Sequence, residues 1–129
     1  MQLVLFVSMH DSSRGPLAAA VFNHLADPAL ARAVSAGLLP GRALSRLISQ
    51  LVEQTALILP PGSPRRVLSD DLQRASLVIH IGNAETQRLT GNEIAWHVPS
   101  IRPGTLDRAR LVLQNLEVRI ACLLAERGW

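Results

Sequence analysis

The chain has 129 residues, of which 48% are hydrophobic and 18% charged, so it is long and apolar enough to bury the core of one domain. Its 13 basic residues are all arginine, its net charge is only +3 and its aromatic content is 3%, which disfavours nucleic-acid binding. The single cysteine excludes a disulfide framework and a cysteine-based zinc site, and no apolar run reaches the roughly 18 residues of a membrane span. Because the N-terminus does not read as a signal peptide, we expect one cytoplasmic domain, residues 1–129, that binds neither nucleic acid nor a membrane.

The first clear pattern is a strand, a short loop and a helix. Residues 3–7 form an apolar run of the kind found in buried strands. Gly15-Pro16 opens a segment with apolar residues at helical spacing, and proline suits a first helical turn. The N–H groups of the intervening loop can converge on one point at the helix N-terminus, where Arg14 adds a permanent positive charge. This arrangement favours the binding of an anion.

The remainder of the chain alternates predicted strands and helices. In order, these are a strand at 31–36, an amphipathic helix between Leu44 and Val52, a buried strand at 76–82, a helix at 83–89, a strand at 93–98 and a long helix at 105–127. Residues 56–69 show no clear pattern, but Ser69, followed by two aspartates, is a predicted helix N-cap. Alternating strands and helices imply a parallel sheet with helices on both faces.

The stretch around residues 8–16 resembles the phosphate loop of the low-molecular-weight protein tyrosine phosphatases and the related arsenate reductases. The loop of that family reads Cys-x5-Arg-Ser-Pro, with Asn usual near its middle, and this chain reads Ser-Met-His-Asp-Ser-Ser-Arg-Gly-Pro. Ser35-Ala36-Gly37 and residues 76–82 are similar to further family segments. The resemblance also implies an extended connection at 56–69 that leads to a short helix at 69–74. The resemblance implies an α/β three-layer sandwich, phosphotyrosine phosphatase I-like, with a four-stranded parallel sheet in the order 2-1-3-4. The loop would then lie at the switch point of the sheet, where ligands bind.

The residues that carry the family's reaction are replaced. In the family a loop Cys attacks phosphorus and a later Asp protonates the leaving group. Ser8 stands at the Cys position, and alignment on Trp96 puts Ser100 at the position of the Asp. A hydroxyl ionises about seven pKa units above a thiol, so forming the nucleophile costs on the order of 9–10 kcal/mol more. Asp11 replaces the usual Asn, and Gly15 replaces a Ser or Thr. We therefore expect an inactive member of the family, with no residue assigned as catalytic.

Three functions remain open from the sequence. The first is an inactive module that binds phosphate, sulfate, a similar oxyanion or a phosphorylated partner protein. Its anion-binding residues would be Ser8, Met9, His10, Asp11, Ser12, Ser13 and Arg14. The second is a scaffold or interaction protein in which Asp11 pairs with Arg14 and neutralises the loop. The third is a weak hydrolase in which His10 activates Ser8.

No cofactor and no metal are expected. His80 and His97 fall near the ends of predicted strands and therefore near His10 at one sheet edge, but their spacing does not show that the three converge. Cys122, on the last helix, is expected to pack as a small hydrophobe. An oligomer is compatible with the apolar helix faces.

Overall fold

The computed structural model describes residues 1–82, 93–102 and 104–129, in which four strands and four helices are present. They are β1 (Gln2–Ser8), α1 (Arg14–Leu25), β2 (Ala31–Gly37), α2 (Arg46–Glu53), α3 (Ser69–Arg74), β3 (Leu77–Ile81), β4 (Glu93–Trp96) and α4 (Leu106–Arg127). The helix expected at 83–89 lies outside the described residues. Within these ranges, no helix combines the length and the hydropathy that spanning a membrane requires.

The strands form one parallel sheet in the order β2-β1-β3-β4, which confirms the predicted topology. β1 pairs with β2 along its whole length and with β3 along residues 4–7. Because β1 has a neighbour on each side and helices above and below, residues 4–7 are fully buried. The loop after β1 therefore lies at the switch point of the sheet, between β1 and β3, where the strand order changes direction.

Helices cover both faces of the sheet, as the three-layer prediction requires. Val4 and Phe6 point to the larger core, which α1, α2 and α4 cover. Leu5 and Val7 point to the other face, where α3 and the chain before it pack. The alternation along β1 follows from the two-residue period of a strand. The two cores together hold the loop after β1 in a fixed position.

Some local predictions are wrong. Leu68, not Ser69, is the N-cap of α3, and its amide donates to Asp71 Oδ2 at 2.8 Å. Asp71 satisfies this amide from the first helical turn, so the helix needs no hydroxyl at its cap. In addition, α2 begins at Arg46, two residues later than its apolar pattern, and β4 already ends at Trp96.

Cys122 is exposed, contrary to the expectation that it packs in the core. The buried face of α4 includes Leu116, Ile120 and Leu124. Cys122 follows Ile120 by two residues, which is about 200° around a helix, so its side chain lies on the opposite, solvent-facing side.

Candidate functional site

The loop between β1 and α1, residues 8–14, is held from outside by the segment that follows β2. Backbone amides of that segment donate to the loop carbonyls. The bonds are Leu38 N to Ser8 O (3.0 Å), Leu39 N to Met9 O (2.7 Å), Gly41 N to His10 O (2.9 Å) and Ser45 N to Ser12 O (2.7 Å). The loop carbonyls are therefore satisfied on the side that faces away from the site.

The N–H groups in the same peptides as these carbonyls, those of Met9, His10, Asp11 and Ser13, point to the opposite side, because the N–H and C=O of a trans peptide point in opposite directions. Within the described ranges, six consecutive or nearly consecutive amides donate to no protein acceptor: those of Met9, His10, Ser12, Ser13, Arg14 and Gly15. Unpaired amides near a helix N-terminus are hydrogen-bond donors of the kind that anions accept.

Asp11 forms the bend of the loop, and its side chain is buried against the Arg65 amide. Its φ of 50° is in the left-handed region, which Asp tolerates better than most residues. Its amide donates to Ser8 Oγ at 3.2 Å, and its Oδ2 accepts the Arg65 amide at 2.9 Å. Burial raises the pKa of Asp11, while the Ser35 hydroxyl, the Arg65 amide and the Ser63 hydroxyl oppose that rise.

Arg14 does not pair with Asp11. Its Nη1 donates to the Val98 carbonyl at 2.7 Å, and in the described part of the chain it forms no ion pair. Burial lowers the pKa of the Arg14 guanidinium, but an arginine stays charged in proteins. The positive charge of Arg14 is thus not neutralised by the Asp11 carboxylate.

Ser8 and His10 do not form a nucleophile–base pair. Ser8 is buried at the end of β1, and the contact of its Oγ is the Asp11 amide. His10 is exposed, and its Nδ1 lies 2.9 Å from the Leu39 carbonyl. Because a carbonyl only accepts, Nδ1 is the protonated nitrogen of the neutral ring. No hydrogen bond joins His10 to Ser8 among the described residues.

A cleft of about 780 Å³ opens over the loop. It is lined by His10, Ser12, Ser13, Arg14, Ala43, Ser45, Leu47, Ser100, Ile101, Arg102 and Gly104. A second cleft of about 310 Å³ lies on the other side of Arg14, and Ser100 lines both. The structure thus places Ser100 beside the loop, on the wall of both clefts.

The three candidate histidines are not gathered into one site. His80 is buried inside β3, and its Nε2 lies 2.8 Å from Glu93 Oε1. His97 is exposed and lines the smaller cleft, whereas His10 lines the larger one. His80 thus lies one residue before the end of β3, as expected, but its side chain is buried and the three histidines do not meet. The described residues contain no group of three or more metal-binding side chains.

Arg102 is a cleft residue that the sequence did not single out. Its only signal was its position two residues after Ser100. The Arg102 amide donates to Ser100 Oγ at 3.1 Å, and Arg108 Nε on α4 donates to the Ser100 carbonyl at 2.9 Å. These bonds fix the turn that carries Arg102 to the rim of the cleft.

A four-stranded parallel sheet in the order 2-1-3-4, with helices on both faces and an arginine-ended loop at its switch point, defines the fold class of the chain. Residues 3–102 match the family described as low molecular weight phosphotyrosine protein phosphatase. The chain therefore belongs to the low-molecular-weight phosphotyrosine protein phosphatase family. No curated protein matches the chain at a significant level.

Three solved structures show the same fold. An arsenate reductase from Archaeoglobus fulgidus is 25% identical, with a TM-score of 0.81 over 95% of this chain and 98% of that one. A YwlE mutant from Bacillus subtilis is 15% identical, with a TM-score of 0.87 over 100% of both chains. A cysteine-to-serine mutant of the arginine phosphatase YwlE, described with a phosphorylated active-site serine, is 16% identical, with a TM-score of 0.85 over 97% and 95%.

Proposed function

We propose that this protein binds phosphate or a similar tetrahedral oxyanion in the loop of residues 8–14 and does not turn over phosphate esters. The observation that carries the proposal is the division of the loop's polar groups. Four of its carbonyls accept hydrogen bonds from the 38–45 segment, whereas, within the described residues, the amides of Met9, His10, Ser12, Ser13 and Arg14 have no protein acceptor. Amides without a protein acceptor are free to donate to a ligand, and an oxyanion supplies several acceptors at once. A phosphorylated partner protein is the macromolecular form of the same ligand.

The missing nucleophile supports the inactive half of the proposal. Deprotonating Ser8 costs on the order of 9–10 kcal/mol more than deprotonating a thiol, and a base would have to supply that energy. His10 is turned to the Leu39 carbonyl and does not contact Ser8. Ser100, at the position of the general acid, has no proton of suitable pKa for a leaving group.

The phosphorylated serine of the YwlE mutant supports the location of the anion. In that protein a serine at the active site carries a phosphoryl group. By analogy, we expect the anion of this chain to lie next to Ser8. The same likeness defines an alternative, in which Ser8 accepts a phosphoryl group once and keeps it, and mass measurement separates that outcome from reversible binding.

The contacts of Asp11 weigh against the scaffold alternative. Neutralising the loop requires Asp11 to reach Arg14, but its Oδ2 accepts the Arg65 amide on the far side of the loop. Arg14 donates instead to the Val98 carbonyl, which takes up only part of its five N–H donors.

Isothermal titration with inorganic phosphate tests the proposal. The wild type should bind, and Arg14→Ala should weaken binding by about 10- to 100-fold, the value of a charge-assisted, forked contact. Arg74→Ala is the matched control, because Arg74 is an exposed arginine of α3 in a surface ion pair with Asp70. Equal loss in both variants, or no binding by the wild type, would contradict the proposal.

Turnover of an aryl phosphate tests the inactive half. Wild type and Ser8→Cys should be inactive, whereas Ser8→Cys with Ser100→Asp should gain activity, because only the double variant has both a nucleophile and an acid. Wild-type turnover that is lost in His10→Ala would instead establish the weak hydrolase. A mass increase of one phosphoryl group on Ser8 would establish the single-use acceptor.

A further inference from the structure

The larger cleft is more positive than one oxyanion requires. Arg14 and Arg102 both line it, together with His10. Among the described residues that form its wall there is no carboxylate, and four of them, Ser12, Ser13, Ser45 and Ser100, present hydroxyl groups. Guanidinium and hydroxyl groups are the donors that proteins use for phosphate.

Arg102 has the features of a ligand-binding arginine. Its side chain is exposed, and within the described part of the chain its guanidinium takes part in no ion pair. Its backbone is nevertheless fixed, by the amide bond to Ser100 Oγ and by the contact of Arg108 with the Ser100 carbonyl. The ordered backbone holds the base of the Arg102 side chain at the rim of the cleft, so that only its side-chain rotamers remain to be fixed by a ligand.

The size of the cleft gives the second argument. An oxyanion of five heavy atoms displaces only a few water volumes of about 30 Å³ each. The cleft measures about 780 Å³, which lies in the range of sites for small organic ligands. Arg14 and Arg102 line this same cleft, so one small molecule bound in it can present a separate group to each of them.

We propose that the cleft recognises a small molecule with two phosphate groups, one in the loop of residues 8–14 and the second on Arg102. This inference rests on the proposed oxyanion site and adds the class of its ligand. Arg102 is then a specificity residue: it contributes to the second phosphate and not to the first.

Calorimetry with three probes tests the inference: inorganic phosphate, fructose 6-phosphate and fructose 1,6-bisphosphate. The wild type should bind the bisphosphate about tenfold more tightly than the monophosphate, as one charge-assisted contact at an exposed site provides. This exceeds the twofold statistical advantage of having two phosphates. Arg102→Ala should reduce the preference to about twofold and leave the affinity for inorganic phosphate unchanged.

The control is again Arg74→Ala, which removes the same charge from α3 and should keep the wild-type preference. If Arg102→Ala weakens all three probes equally, Arg102 acts through long-range attraction only, and the inference is wrong. A wild type that binds inorganic phosphate without preferring the bisphosphate also overturns it while leaving the oxyanion site intact. Failure of all three probes to bind overturns the proposed function itself.

Discussion

Asp11 unites two features that rarely occur together, a left-handed backbone and a buried carboxylate. The first shapes the loop, and the second links it to the chain before α3 through the Arg65 amide. In the family resemblance an Asn is usual here. An Asn oxygen accepts the same amide bond without bringing a charge into the interior, so the carboxylate is the less stabilising choice.

We expect Asp11→Asn to raise the stability of the fold at neutral pH. Burial raises the pKa of Asp11 in the folded state above its ordinary value of 3.8, so the fold favours the neutral acid. The contribution of neutral Asp11 to the free energy of unfolding is fully present below the unfolded pKa. It is lost as the pH rises through the folded pKa. The advantage of Asp11→Asn in urea unfolding should therefore grow from about pH 4 upward and then level off.

Asp71→Asn is the control of opposite sign. Burial works against ionisation of Asp71, but the hydrogen bonds from Arg65 and Leu68 outweigh it and lower its pKa. Its contribution is present above the unfolded pKa and is lost as the pH falls through the folded pKa. This variant should lose stability at neutral pH, and an Asp11→Asn protein less stable than the wild type under the same conditions would show that the carboxylate is needed.

At the scale of elements, the end of β2 packs directly against the loop of residues 8–14. A Cβ on Gly37 would lie 3.0 Å from Asp11 Cβ and 3.1 Å from both Asp11 N and His10 C. Gly37 also receives the chain before α3, since its amide donates to the Arg65 carbonyl at 2.8 Å. Position 37 therefore requires glycine because two backbones approach closely there, and not because the chain turns.

We expect Gly37→Ala to destabilise the protein by about 1–3 kcal/mol, the usual cost of overpacking. It should also weaken phosphate binding, because the atoms it displaces belong to the loop. Gly41→Ala is the matched control: its nearest neighbours would lie 3.7 Å away, an ordinary contact, and its effect should stay within about 0.5 kcal/mol. Urea unfolding and phosphate titration of both variants measure the difference, and equal effects would refute the steric explanation.

At the scale of the whole molecule, Trp129 joins two helices of the larger core. The Trp129 ring packs edge-on against Phe22 of α1, with ring centroids 6.2 Å apart, and the Arg127 guanidinium lies 5.6 Å from its centroid. The Trp129 carbonyl accepts the Asp27 amide at 3.0 Å, just after α1. Gly128, with a φ of 72°, ends α4 and turns the chain back towards α1.

Trp129→Ala should therefore destabilise the fold by about 2 kcal/mol, less than a fully buried aromatic because the ring is only partly covered. The control is Leu111→Ala on α4, since Leu111 is 58% exposed and should change stability by less than about 0.5 kcal/mol. Chemical unfolding compares the two, and a Trp129→Ala protein as stable as Leu111→Ala would mean that the contact adds nothing.

The fold was predictable to a large extent, because β1, the glycine–proline helix start and the alternation of elements are local patterns in the sequence. The contacts of the site were less predictable from the sequence. The partner of Asp11 is the amide of Arg65, 54 residues later, and that of His80 is Glu93, in the next strand. Composition and periodicity record which residues are buried, but not which distant group satisfies a buried charge.

The bond from Arg14 to the Val98 carbonyl joins parts of the chain that are 84 residues apart. It ties the start of α1 to the stretch that leads to Ser100 and Arg102. A ligand that reorients the guanidinium must then also alter how firmly that stretch is held. Deuterium uptake at residues 97–102 should therefore change when a compound binds in the loop of residues 8–14, and the compound needs no label.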